Sequence, residues 1–114
     1  MRATALAVVL AAALAWAAPA GSAPPRGATV AVTDNAFARG GEDRPTVRVR
    51  RGATVRWQWR SQESHQVTVR SGPRRFASRT QAHGSYAHRF TRRGTYRLVC
   101  SIHAPGMRMT VVVR

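Results

Sequence analysis

GTYRLVCSIHAPGM, residues 94–107, changes character halfway along. Up to Cys100 it alternates, with Tyr96, Leu98 and Cys100 on one side and Thr95, Arg97 and Val99 on the other. A period of two is the mark of a half-buried β-strand, and here it turns Cys100 inward. Beyond Cys100 the chain passes through Pro105 and Gly106, which reads as a loop, and then enters a β-branched strand from Arg108 to Val113. The loop carries His103 and Met107 at short spacing from the only cysteine. A thiolate, an imidazole and a thioether together suit copper, because soft sulfur and borderline nitrogen hold both Cu(I) and Cu(II). A second imidazole completes such a set, and His65 is the upstream candidate.

Outward from this stretch the pattern stays β. Thr29 to Val32, Thr46 to Arg50, Thr54 to Arg60 and Gln66 to Arg70 read as short strands, and Gly52 closes a turn. In the third of these, Val55, Trp57 and Trp59 share a face and are expected as core and rim aromatics and packing residues. Ser85 to Phe90 and Thr95 to Cys100 flank Thr91-Arg92-Arg93-Gly94, predicted as a hairpin. That hairpin sets Ser85 opposite Cys100 and brings His83 near the metal end, although His83 fits no motif position. His88, between Tyr86 and Phe90, is read as a packed histidine, and Met109 as a core plug. Seven or so short strands without a helical period predict an all-β fold, a small antiparallel sandwich or barrel.

The first residues stand apart. Arg2 gives a positive start, Ala5 to Ala17 is almost wholly apolar, and Ala18-Pro19-Ala20 resembles a cleavage site. Residues 1–20 are therefore expected to be a cleaved secretory signal, too short for a comfortable membrane span. Residues 21–28 are expected to be a flexible leader and 29–114 a single small domain. With one cysteine there is no internal disulfide. An exported lone cysteine is a free thiol, half of an intermolecular bridge or a metal ligand, and its neighbours favour the last.

Charge is the second strong signal. All 19 basic residues are arginine, against four carboxylates, and the formal net charge is +15. Such a surface attracts polyanions or an acidic protein partner and speeds encounter with them. No nucleic-acid motif is present, and in Val47-Arg48-Val49-Arg50 the arginines simply alternate with apolar residues as a solvated face does. Nucleic acid is not expected as a partner.

Taken in order, Phe37, Gly52 to Trp57, His65-Gln66-Val67, Phe90 to Tyr96, and Cys100-x-x-His103-x-x-x-Met107 before Thr110 to Val113 resemble the cupredoxins, in particular the plastocyanin- and amicyanin-like blue copper proteins. The resemblance runs from about Thr29 to Val113. It implies a Greek-key sandwich with one type 1 copper at one end, bound strongly by His65, Cys100 and His103 and weakly by Met107. In the family an Asn after the first histidine helps tie the ligand segments together. Gln66 stands there now, and either reaches Ser101 with its longer arm or leaves the tie unmade. Val99 replaces the Tyr that photosynthetic plastocyanins carry before the cysteine.

Two functions follow as expectations. One is an exported, monomeric shuttle of single electrons between redox proteins, docking on an acidic partner without entering the membrane. The other is an extracytoplasmic copper-handling protein using the same site. A metal-free, arginine-surfaced sandwich binding acidic polymers ranks third. An enzyme is not expected, for want of a second metal cluster or a base–nucleophile pair, and a dinuclear copper centre would need a second cysteine.

Overall fold

A computed structural model describes residues 3–4 and 25–114. The expected signal segment, apart from residues 3–4, and residues 21–24 of the expected leader lie outside the described residues. Eight strands follow in order: β1 (Gly27–Val32), β2 (Phe37–Ala38), β3 (Thr46–Val49), β4 (Thr54–Trp59), β5 (Thr68–Ser71), β6 (Ser85–Arg89), β7 (Gly94–Val99) and β8 (Arg108–Val113). They form two four-stranded sheets, β2-β1-β4-β6 and β3-β8-β7-β5. The protein is an all-β sandwich. No helix among the described residues is long and apolar enough to cross a membrane.

Alternation along each strand decides which side faces the other sheet. In β4, Val55, Trp57 and Trp59 are buried while Thr54, Arg56 and Gln58 are exposed; in β7, Tyr96 and Leu98 are buried and Thr95 and Arg97 exposed. The inward residues of both sheets, with Val30, Phe37, Val67 and Val111 among them, make one continuous core. Trp57 is wholly buried, and its indole N–H is not orphaned: it donates to the sulfur of Met109 across the core at 3.2 Å. The expected plug is therefore also a hydrogen-bond acceptor. Trp59 sits at the rim, 7% exposed.

Two features depart from the sequence expectation. The sheets are mixed, because β1 runs parallel to β4 and β3 parallel to β8. Parallel pairing with β4 also carries β1 back to Gly27, two residues before its apolar alternation begins. Second, residues 91–94 do not close a hairpin. Strand β6 pairs with β4, and β7 pairs with β8 and β5, so this link crosses from one sheet to the other. Gly94 makes the crossing feasible: its φ is +143°, and a Cβ there would sit 2.5 Å from the Pro73 ring. Ser85 consequently lies opposite Gln58 rather than opposite Cys100. His83 is exposed beside that edge.

Aromatic packing explains why β6 stays with β4. Tyr86 lies opposite Trp57 with ring centroids 5.9 Å apart, and Phe90 packs edge-on to Tyr96 at 4.9 Å. His88 joins this cluster by stacking on Phe76 at 3.7 Å with rings 14° from parallel. Burial, and to a lesser extent Arg74, push the His88 imidazole below its ordinary value of 6.5. The unfolded chain then binds more protons than the folded one just below that value. The contribution of neutral His88 is thus fully present above about pH 6.5 and lost as pH falls through its folded value. Thermal unfolding of the protein and of His88→Phe between pH 7 and 5 should show the wild-type midpoint falling more steeply; parallel curves would contradict this account.

Candidate metal centre

Three of the expected residues converge at one end of the sandwich. Cys100 follows the last residue of β7, wholly buried, as its alternation with Tyr96 and Leu98 requires. The loop after it is folded by its own backbone. His103 N–H donates to Cys100 O at 3.0 Å, Met107 N–H to His103 O at 3.2 Å, and Cys100 N–H to Met107 O at 3.0 Å. These bonds return the loop to its starting point, so His103 and Met107 are both held close to Cys100. Met107 is buried at 2% exposure, whereas residues 101–106 are exposed.

His65 comes from the other side, on the segment before β5. Its backbone forms a reciprocal bridge with Gln81, N–H to O at 2.9 Å and back at 3.0 Å, and its carbonyl also accepts the indole N–H of Trp59 at 3.1 Å. The ring is completely buried and lies 4.9 Å, centroid to centroid, from that of His103. Its Nδ1 is 3.9 Å from Cys100 Sγ, and His103 Nδ1 is 3.6 Å from the same sulfur. The donor atoms of all three lie within 4.8 Å of one another.

The spacing suits a shared ion. Donors roughly 2.0 and 2.3 Å from one metal, at about 120° to each other, lie about 3.7 Å apart. One buried thiol between two imidazoles, with a thioether on the same short loop, is a soft and borderline donor set that fits copper better than magnesium or calcium, which need oxygen. His83 is absent from the cluster.

Asp34, in the turn after β1, joins the site from outside the expected set. Its carboxylate accepts the backbone N–H of Gln62 at 3.1 Å and of Glu63 at 2.9 Å, and lies 3.2 Å from Nε2 of His65. Those two N–H groups and the His65 contact hold the carboxyl below its ordinary value of 3.8. An ionised carboxylate can only accept, so the ring proton of neutral His65 sits on Nε2 and the lone pair of Nδ1 faces Cys100. Asp34 also ties the start of the His65 segment to the turn after β1. Of the two outcomes open for Gln66, the tie to Ser101 is left unmade: its side-chain oxygen accepts the hydroxyl of Thr68, two residues on. Nothing short of the fold could reveal Asp34, which is 31 residues from His65. In the metal-free protein, long-range nitrogen–proton NMR should find His65 as the Nε2–H tautomer, and Asp34→Ala should give a tautomer mixture; an unchanged single tautomer would remove Asp34 from this role.

No protein-family model and no curated protein matches the sequence. Solved structures do. A proline-to-glycine mutant of amicyanin in its reduced Cu(I) form is 26% identical, covers 82% of this chain and 87% of its own, and superposes with a TM-score of 0.64. A reduced tryptophan-to-tyrosine amicyanin mutant is 27% identical over 75% of this chain and 80% of its own, with a TM-score of 0.63. A copper-containing nitrite reductase from Thermus scotoductus SA-01 is 27% identical and covers 86% of this chain, but the match spans only 24% of that enzyme, with a TM-score of 0.60. The chain shares the fold of these cupredoxins, and its His65–Cys100–His103 cluster fits one type 1 copper ion.

Proposed function

We propose that this protein is an exported carrier of single electrons, in which His65, Cys100 and His103 would hold copper strongly and Met107 weakly. The observation that carries the reading is the cluster itself, with Nδ1 atoms 3.9 and 3.6 Å from one buried sulfur. Copper bound there would supply a Cu(I)/Cu(II) couple whose potential would follow the weak thioether ligand and the surroundings of the sulfur.

The protein's own residues do the rest. Cys100 would hold the metal as thiolate and both imidazoles as neutral rings, so loading would release the thiol proton. The hydrogen bonds of Trp59, Gln81 and Asp34 fix His65 before any metal arrives, and the loop closed from Cys100 to Met107 fixes the other donors. A framework set in advance gives little room for movement when the charge of the site changes, which favours fast electron exchange. Burial of His65 and Cys100 keeps water out, while the exposed His103 gives one ligand an edge at the surface. Residues 1–20 would direct export and be removed after Ala20.

Copper titration with visible absorption and electron paramagnetic resonance tests the reading. An intense thiolate-to-copper band at one equivalent is expected. Cys100→Ser should abolish that band, and Met107→Leu should keep it while moving the reduction potential. Asp34→Ala should weaken copper binding by roughly 10- to 100-fold, the usual cost of losing a partner to a ligating imidazole. Tight binding without the band would favour copper handling instead, and survival of the band in Cys100→Ser would sink the assignment.

A further inference from the structure

We propose that the outer face of the β3-β8-β7-β5 sheet is a docking surface for an acidic redox protein, and that a cavity in it lined by Arg44, Arg70, Arg97 and Arg108 receives the partner's carboxylates. This deepens the electron-carrier reading and rests on it.

Register builds the cavity. Arg97 of β7 lies opposite Thr110 of β8 and Ser71 of β5, and Arg108 lies opposite Val99. Their neighbours Leu98 and Met109 point into the core, so the arginine side chains stand outward on adjacent strands. With Arg44 and Arg70 they enclose a hollow of about 500 Å³ floored by Val99. None of the four carboxylates of the chain lines it. Among the described residues no arginine forms a salt bridge, so these guanidinium groups have no charged partner of their own. Like charges gathered around one hollow repel each other, and an arriving anion relieves that repulsion. A guanidinium fork also matches a carboxylate two bonds at a time.

Position chooses the kind of partner. Arg70 and Val99 also line the next hollow, whose other walls include Arg75, Ser101, Ala104 and Pro105 of the metal loop. The basic face is therefore continuous with the loop that exposes His103. Ile102 on that loop is 55% exposed, the one large apolar side chain so placed among the described residues. An apolar tip flanked by cations has the make-up of a protein interface, with an apolar centre and a charged rim. A polyanionic chain would need the charge alone, and a single isoleucine offers a lipid surface little apolar area to bury. Bound through this face, an acidic protein would lie against the loop that holds His103.

The opposite end of the sandwich supplies a control. Arg26, Arg50, Arg51 and Arg89 line another hollow there, beside Gly52 at the start of β4. Six residues of β4, roughly 20 Å of strand, separate it from the Trp59 end that holds His65. At 0.15 M salt the Debye length is about 8 Å, so charge at one end is screened from the other.

The test titrates isotope-labelled, metal-free protein with a hexaglutamate peptide at 0.15 M salt and follows backbone amide shifts. Shifts should centre on Ser71, Arg97 to Val99 and Arg108 to Thr110. Arg97→Glu with Arg108→Glu should weaken binding about tenfold or more, and Arg50→Glu with Arg51→Glu, the same change in net charge, less than about twofold. Thermal melts of both double variants establish that each is folded. Equal weakening by the two pairs, or shifts centred on the far end, would overturn the proposal in favour of a general polycation. Binding of phosphatidylserine vesicles through this face, without binding of the peptide, would overturn it in favour of a membrane surface. Because no metal enters the titration, its outcome is independent of whether the copper band forms.

Discussion

One imidazole kept wholly out of water governs the metal end of this molecule. A buried polar ring is tolerated only if each of its polar atoms has a partner. His65 meets that condition through four different parts of the chain. Trp59 and Gln81 hold its backbone, Asp34 takes one ring nitrogen, and the sulfur of Cys100 lies beside the other. Each partner comes from a different element, so the ring cannot turn without breaking contacts in several. Trp59 in turn is placed by the alternation of β4, which puts its indole at the rim of the core rather than inside it. The hydrophobic pattern of one strand therefore orients an imidazole that belongs to another segment.

The same dependence shows what could be read from the chain and what could not. Strand positions and faces were legible, because a period of two in Val55-Trp57-Trp59 and Tyr96-Leu98-Cys100 records directly which side is buried. Cys100 and His103 were legible because they share one short loop, and His65 through the resemblance of His65-Gln66-Val67 to the cupredoxin pattern. Strand partnership was not. Residues 91–94 have the composition of a tight turn, and nothing local distinguishes a hairpin from a crossing between sheets. The decision is made at a distance, by Tyr86 packing on Trp57 and by the close approach of Gly94 to Pro73. The parallel pairs β1–β4 and β3–β8 are hidden for the same reason, since each joins strands separated by other elements. Asp34 belongs with these. Its role depends on a carboxylate crossing to another segment, and Asp-Asn in sequence signals only a turn.

The division of the loop from 100 to 107 also has a physical cause. Its two ends are buried sulfur side chains and its middle is exposed. Three backbone bonds close the ends of the loop on one another while its exposed middle faces solvent, so the loop can sit at the end of the core without exposing either sulfur. Only His103 bridges the two zones, with a ring nitrogen toward Cys100 and a residue surface open to solvent.

Arginine density then acquires a spatial meaning that composition alone withheld. A net charge of +15 is spread over both ends and both faces, and as a total it marks no surface as special. What distinguishes one group is its neighbourhood. The guanidinium groups on β7 and β8 stand one residue away from Leu98 and Met109, whose side chains belong to the core. Arg70 shares a wall with Ala104 and Pro105 of the metal loop. A partner drawn by charge to this face would meet rigid sheet rather than mobile loop, and rigid sheet holds its charges at fixed spacing. Fixed spacing is what turns attraction into orientation. On the proposed electron-carrier reading the protein must leave its partner quickly, and strong long-range attraction with few buried contacts favours rapid arrival without a tight complex. Exposed arginines on a strand face, beside a small apolar tip, meet that requirement better than a deep pocket would.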